Sequence, residues 1–392
     1  MQIAYTPEHE SLRQELRDYY ASLLTPEVRA KLAVGHGIGP DLRAVVRQMG
    51  RDGLLGQGWP TEYGGKGHGP IEQFVFFDES MRAGAPVPML TINTVGPTIM
   101  HYGTEDQKAY FLPKILAGEI HFCIGYSEPN AGTDLAALTT RAVRDGDEYI
   151  VNGTKIWTSL ASDADWCWLA VRTNPEAAKH KGISMLLVDM KNTPGITPVP
   201  LNLLPGHNIC QVFFEDARVP ASNLVGEENG GWRLITNQLN HERVTLCSSG
   251  MIERYIQDVR RWAQQTKDAD GVRVIDHEWV RIALARVYAR LEFLRLINWK
   301  IAWAAQQDSL HPADASATKA FGTEFYLEAL RTLMEIVGQA SYLPGDATGA
   351  LLRGELEQGY RGLLILTFGG GTNELQRDLI AMFGLGMPRS DR

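Results

Sequence analysis

Cysteine is scarce in this chain, and the few present do not cluster. Four cysteines, Cys123, Cys167, Cys210 and Cys247, are spread over 392 residues without a Cys-x-x-Cys spacing. That pattern argues against a zinc site or a disulfide framework and fits a reducing compartment. Positive charge is also short. The net charge of −8 excludes the basic footprint of a general nucleic-acid binder. No apolar run approaches the ~20 residues of a membrane helix. The first residues, Met1-Gln2-Ile3-Ala4-Tyr5, lack a basic and then apolar leader pattern. Pro388-Arg389-Ser390-Asp391-Arg392 is not a peroxisomal address. The expectation is a cytoplasmic protein that binds neither nucleic acid nor membrane. Internal repeats and low-complexity tracts are missing too. What remains, 44% apolar and 21% charged residues, is ordinary for a globular protein long enough to bury two or three cores without staples.

The texture of the chain changes twice. Residues 1–118 read as helices: Thr6-Pro7-Glu8 is a cap, a proline and an acidic first turn, followed by Leu12, Leu16 and Tyr19-Tyr20 at helical spacing. Residues 119–225 read as short strands, among them Leu169–Arg172, Ile183–Val188 and Gln211–Phe214, separated by Pro/Gly-rich turns as in a β-barrel or sandwich. Within them, Asn152-Gly153 predicts a hairpin turn between Tyr149-Ile150-Val151 and Ile156-Trp157-Thr158. Residues 226–392 return to long helical patterns, marked by Trp232, Ile235, Leu239 and Leu246, then by Ile282, Val287, Leu291 and Leu294, then by Phe321, Phe325, Leu330 and Met334.

Three segments carry chemistry. Tyr126-Ser127-Glu128-Pro129-Asn130-Ala131-Gly132-Thr133-Asp134 is a polar loop able to point backbone N–H groups at a ligand. Trp157-Thr158-Ser159 places an aromatic and a hydroxyl one strand period apart. Phe368-Gly369-Gly370-Gly371-Thr372-Asn373-Glu374-Leu375-Gln376-Arg377 sets a triple glycine before a helix, where backbone can approach a phosphate closely. In this order and spacing, with Gly56–Pro60 and Tyr63-Gly64-Gly65 upstream, they resemble the acyl-CoA dehydrogenases along nearly the whole chain. The resemblance implies an α+β fold: a helical N-terminal domain, a middle β-barrel or sandwich domain, and a C-terminal four-helix-bundle domain. It implies FAD as cofactor. Trp157 would stack beside the flavin ring and the Ser159 hydroxyl would reach N5. Tyr126 and Ser127 would line the pyrimidine edge, and Thr133 would lie near the pyrophosphate or thioester end. Thr372 would contact the pyrophosphate or ribose, with Glu374 nearby.

The reaction of that family removes an α-proton and a β-hydride from an acyl-CoA. The α-carbon is a weak acid and needs a positioned carboxylate and donors to the thioester oxygen. Many members carry the base just before the Gly-Thr of the C-terminal loop. Here that position is Gly370. Leu239-Asn240-His241-Glu242-Arg243-Val244 resembles the helix element that bears the base in other branches. Glu242 then takes that role, Asn240 bonds the pantetheine amide, Arg243 orders the site, and the Gly370 N–H helps bind the thioester carbonyl.

Two elements depart from the family pattern. A homotetrameric member lends its neighbour an arginine and a glutamine. Those positions correspond to Thr266, with Lys267 beside it and directed elsewhere on the helix, and to Glu335. A carboxylate facing a pyrophosphate is repelled. The chain is therefore most similar to the glutamate-bearing subunit of the α2β2 acyl-CoA dehydrogenases with which actinobacteria shorten sterol side chains. That implies a second dehydrogenase-like subunit, a bulky acyl-CoA substrate and an electron-transfer flavoprotein as acceptor. An acyl-CoA oxidase, a short- or branched-chain dehydrogenase and a non-catalytic subunit remain as alternatives.

Overall fold

The computed structural model describes residues 4–34, 37–204, 208–245 and 247–389; at 33–34 and 239–245 it describes the backbone alone. Proline sets the start of several helices. Helix α1 (Pro7–Leu23) has Thr6 as its cap, whose hydroxyl accepts from the His9 N–H at 3.3 Å. Helices α2 (Pro26–Val34), α3 (Pro40–Arg51) and α4 (Pro70–Ala83) likewise begin on proline, where the missing N–H costs nothing. The loop at Gly56–Gly65 separates α3 from α4, as the glycines predict. A π-turn segment, Thr91–Val95, runs into α5 (Gly96–Tyr102), and α6 (Glu105–Leu116) closes the helical region.

Eight strands follow: β1 (Phe122–Gly125), β2 (Arg141–Asp145), β3 (Glu148–Ser159), β4 (Trp166–Arg172), β5 (Ile183–Asp189), β6 (Ile196–Pro200), β7 (Ile209–Pro220) and β8 (Leu224–Val225). They form one sheet in the order β6-β7-β3-β2-β4-β5-β8, with β1 running parallel to β4. Its central strands are buried on both faces, which is why they read as nearly continuous apolar runs. On β4 and β5, Trp168, Ala170, Met185 and Leu187 face the N-terminal helices and share a core with Val75, Phe76 and Ile99. Cys167, Leu169, Leu186 and Val188 face the other way, against Tyr149, Val151 and Val212.

The Asn152-Gly153 hairpin is not formed. Both residues lie inside β3, and the turn is one step earlier, at Gly146 between β2 and β3 (φ +59°). The glycine serves close approach instead: a Cβ on Gly153 would lie 2.6 Å from the Thr140 Cα. The pairing of β3 with β7 slips there, and Asn152 closes the irregularity by exchanging two 2.9 Å hydrogen bonds with Asp216.

Helices α7 (Gly231–Thr245), α8 (Ser249–Gln265), α9 (Glu278–Gln306), α10 (Pro312–Val337), α11 (Glu355–Leu363) and α12 (Asn373–Leu379) complete the chain. Val259, Leu291, Leu294, Phe325, Leu330 and Leu333 form their core. The two helical regions meet through α4. Buried Asp78 accepts hydrogen bonds from the Gly250 N–H and from the Ser248 and Ser249 hydroxyls, and so caps α8 from a distant part of the chain. Burial pushes the Asp78 carboxyl up despite these donors.

Candidate active site

A cavity of about 820 Å³ lies between the two helical regions. Trp59, Phe74 and Met100 line it from the N-terminal side; Asn237, Ser248 and Asn298 line it from α7, the turn after α7, and α9. Glu242 lies on α7 between Asn237, which lines the cavity, and Cys247-Ser248, which follow the helix and line it too. The side chains of Asn240, Glu242 and Arg243 lie outside the described residues.

The loop after β1 is fixed by one buried ion pair. The Lys155 ammonium, from β3, donates to Glu128 Oε1 at 2.8 Å and to the Tyr126 carbonyl at 3.0 Å. The same carboxylate accepts from the Thr139 and Thr140 N–H groups and from the Thr139 hydroxyl at 2.7–2.8 Å. Burial alone would raise the Glu128 pKa; the ammonium and these donors outweigh it and hold the carboxyl at about 2. Ser127, half-buried, accepts from the Ile156 N–H at 2.9 Å, so the loop backbone is paired to β3. Thr133 is exposed near the loop end, where Asp134 meets Lys179. Tyr126 is nearly buried, with its hydroxyl donating to Gln238 on α7 and accepting from the Trp168 indole N–H at 3.0 Å. That residue joins the loop to the helix of Glu242, and its hydroxyl is committed to that joint.

Trp157 is an outlier. It sits at a second slip between β3 and β7 with φ +60°, and its side chain is 55% exposed. A bulky residue in the left-handed region is strained. Held there with its ring outside the core, it presents an aromatic face. Half-buried Ser159 follows two residues on. Nothing in the local sequence signals this backbone state.

The glycine loop is shaped by α10 rather than by the sheet. Gly370 and Gly371 have φ +69° and +90°. Lys319, fully buried on α10, donates to the carbonyls of Thr367 and Gly371 at 3.2 and 2.8 Å and to Asn373 Oδ1 at 2.7 Å. The Gln376 amide donates to the Gly370 carbonyl at 3.0 Å. Thr372 caps α12 by accepting from the Leu375 N–H at 3.2 Å. Glu374 is exposed, and the N–H groups at that helix start hold its carboxyl below the usual range. Lys319→Met is expected to leave two carbonyls and an amide oxygen short of a donor and to speed hydrogen exchange over residues 369–375 by roughly 10- to 100-fold. Unchanged exchange there would show that the lysine does not shape the loop.

Thr266 and Glu335 are both at helix ends. Thr266 follows the last residue of α8, and Glu335 is exposed near the end of α10. Lys267 is not on a helix, contrary to the sequence expectation; it pairs with Arg273 to close a tight loop that begins as α8 stops. Among the described residues no group of His, Cys, Asp or Glu is arranged to hold a metal, and no helix is long and apolar enough to cross a membrane.

Three family models match the chain: acyl-CoA dehydrogenase N-terminal domain over residues 6–119, middle domain over 123–217 and C-terminal domain over 229–385. The acyl-CoA dehydrogenase FadE26 of Mycobacterium tuberculosis is 55% identical over all of both chains. A chain of the ChsE4-ChsE5 complex from Mycobacterium tuberculosis superposes with a TM-score of 0.92 at 56% identity, covering all of each chain. A chain of the Tcur3481-Tcur3483 steroid ACAD does so with a TM-score of 0.93 at 50% identity, again over all of each.

Proposed function

This chain belongs to the acyl-CoA dehydrogenase family, and on that premise we propose that it is the proton-abstracting subunit of an α2β2 dehydrogenase for a sterol side-chain or similarly bulky acyl-CoA. Its family acts on CH–CH bonds and generally uses FAD. The observation that carries the reading is the cavity of about 820 Å³, lined on either side of the Glu242 segment by Asn237 and by Cys247-Ser248. That volume has room for a bulky acyl group.

The residues present fit one half of a flavin site. Trp157 offers an outward ring on a strained backbone, and Gly370 and Gly371 form a half-buried loop with positive φ whose carbonyls are tied back to Gln376 and Lys319. In the proposed site Tyr126, Ser127, Thr133, Trp157, Ser159, Thr372 and Glu374 hold the cofactor, and Tyr126 also fixes the loop to α7. FAD, when bound, supplies the acceptor for the β-hydride. Glu242 takes the α-proton onto its carboxylate. The Gly370 N–H binds the thioester carbonyl and so lowers the cost of the charge that develops there. Asn240 bonds the pantetheine amide and Arg243 orders the segment. An electron-transfer flavoprotein then takes the electrons, in a cytoplasmic setting.

A different partner subunit supplies what Thr266 and Glu335 do not. ChsE4-ChsE5 and Tcur3481-Tcur3483 are each complexes of two chains. Exposed apolar residues on α9, including Trp279, Phe293 and Trp303, and around the C-terminal loop, including Phe368, Phe383 and Leu385, offer it surface. The test is flavin content. Produced alone, the chain is expected to retain little FAD and to turn over no acyl-CoA; produced with a second dehydrogenase-like chain, it retains one FAD per pair. A stable homotetramer with one tightly held FAD per chain refutes the heteromer. Hydrogen peroxide formed in step with turnover identifies an oxidase instead.

A further inference from the structure

On the N-terminal side of the cavity a tryptophan is seated in a notch that only glycine leaves. Trp59 lines the cavity, is 3% exposed and stands in the loop between α3 and α4. Its ring lies on Gly96, the first residue of α5. The Gly96 backbone is ordinary helix, with φ −55°, so its dihedrals do not call for glycine. Space does. A Cβ there would stand 2.3 Å from Trp59 Cζ2 and 2.5 Å from Cη2, where ordinary contact begins at 3.4 Å.

The π-turn at Thr91–Val95 draws the ring to that place. Its wide turn carries N–H groups to carbonyls five residues back, as from Gly96 to Thr91. Five residues on from Ile92 stands Pro97, which has no N–H to give. The Trp59 indole N–H takes that role and donates to the Ile92 carbonyl at 2.8 Å. The tryptophan backbone cannot follow a displaced ring. Its carbonyl accepts from the Gly67 N–H at 2.8 Å and its N–H donates to the Gly56 carbonyl at 3.2 Å. Gly65 packs so closely that a Cβ on it would lie 2.1 Å from the Trp59 carbonyl oxygen. A ring pushed off Gly96 therefore swings about its own side-chain bonds, and the open space beside it is the cavity.

We propose that the contact between Trp59 and Gly96 sets how bulky an acyl group the cavity accepts. With only a hydrogen at position 96 the ring is withdrawn into the wall; with a side chain there it stands in the space the acyl group needs. This rests on the dehydrogenase reading and names the residues that determine the width of its substrate class. Both residues act on fit and take no part in the proton or hydride step.

The experiment uses the flavin-loaded complex with cholanoyl-CoA as a bulky thioester and octanoyl-CoA as a slender one. Gly96→Ala is expected to lower kcat/KM for cholanoyl-CoA by roughly 10- to 100-fold, while octanoyl-CoA turnover changes by less than about 3-fold and flavin content stays at the parent level. Trp59→Phe in the Gly96→Ala background removes the ring carbons that the new methyl displaces and is expected to return cholanoyl-CoA to within about 3-fold of the parent. Should Gly96→Ala fail to hold its FAD, Trp59→Phe alone decides: the smaller ring is expected to raise the cholanoyl-to-octanoyl ratio of kcat/KM by roughly 3- to 10-fold, and an unchanged ratio overturns the proposal. An equal loss for both thioesters, an unaltered cholanoyl-CoA rate in Gly96→Ala, or a loss that Trp59→Phe does not reverse overturns the notch while leaving the dehydrogenase reading in place. Oxidation of neither thioester by the parent complex, with its FAD held, removes the dehydrogenase reading and the notch with it.

Discussion

Glu242→Gln is expected to fold, to assemble and to hold flavin as the parent does, yet to lose roughly 10³-fold or more in kcat. The exchange keeps shape and hydrogen-bonding reach and removes only the capacity to accept a proton. Position supports the choice. Glu242 lies one helical turn beyond Gln238, the buried residue that accepts from Tyr126, and between cavity-lining Asn237 on α7 and cavity-lining Cys247 just after it. The alternative location for a base, residue 370, is held at φ +69° by a loop anchored to Lys319. Any side chain there would be strained. Gly370→Glu in the Glu242→Gln background is accordingly not expected to rescue turnover. The measurement is steady-state reduction of an artificial acceptor at equal flavin content. Turnover within a few-fold of the parent would remove Glu242 from the mechanism.

How much of this was legible beforehand depends on the range of the interaction. The Thr6-Pro7 cap and the apolar runs of β4 and β5 are local signals, and the structure follows them. Asn152-Gly153 misled because a turn dipeptide makes a hairpin only if its two flanks pair with each other. Here both flanks pair with β7, and the glycine is needed where Thr140 approaches. The resemblance located the loop at Tyr126, Trp157 and the triple glycine, but not what holds them. Lys155 reaches Glu128 across 27 residues, Tyr126 reaches Gln238 across 112, and Lys319 reaches Gly371 across 52. No periodicity or spacing encodes such pairs. Lysine 319 in particular reads as one more charge on a long helix, although its burial makes it the anchor of the glycine loop. The cavity is equally invisible, because its walls come from helices on both sides of the β-region.

Among these long-range contacts the Glu128–Lys155 pair carries the largest expected effect on stability. Lys155 is fully buried and Glu128 nearly so, and the carboxylate collects the lysine and three further donors. Lys155→Met removes the cation and strands the carboxylate in the protein interior, which costs about 3–5 kcal/mol. For a chain of this length that is a fall in Tm of about 5 °C at neutral pH. The effect depends on pH in a stated direction. Glu128 in the folded protein titrates at about 2, below its ordinary value of 4.5. Its stabilising contribution is therefore complete above about 4.5 and is lost as the pH falls from there towards 2. In Lys155→Met the same carboxyl is buried without its cation, its pKa moves up, and protonation relieves the strain as the pH falls. The two Tm curves should separate most above pH 4.5 and converge below it. Glu128→Gln added to Lys155→Met replaces the stranded charge by a neutral group of the same shape and should recover part of the loss. A single variant as stable as the parent at pH 7, or a difference that does not vary with pH, would show that the pair is incidental. The loop that begins at Tyr126 would then owe its shape to the sheet alone.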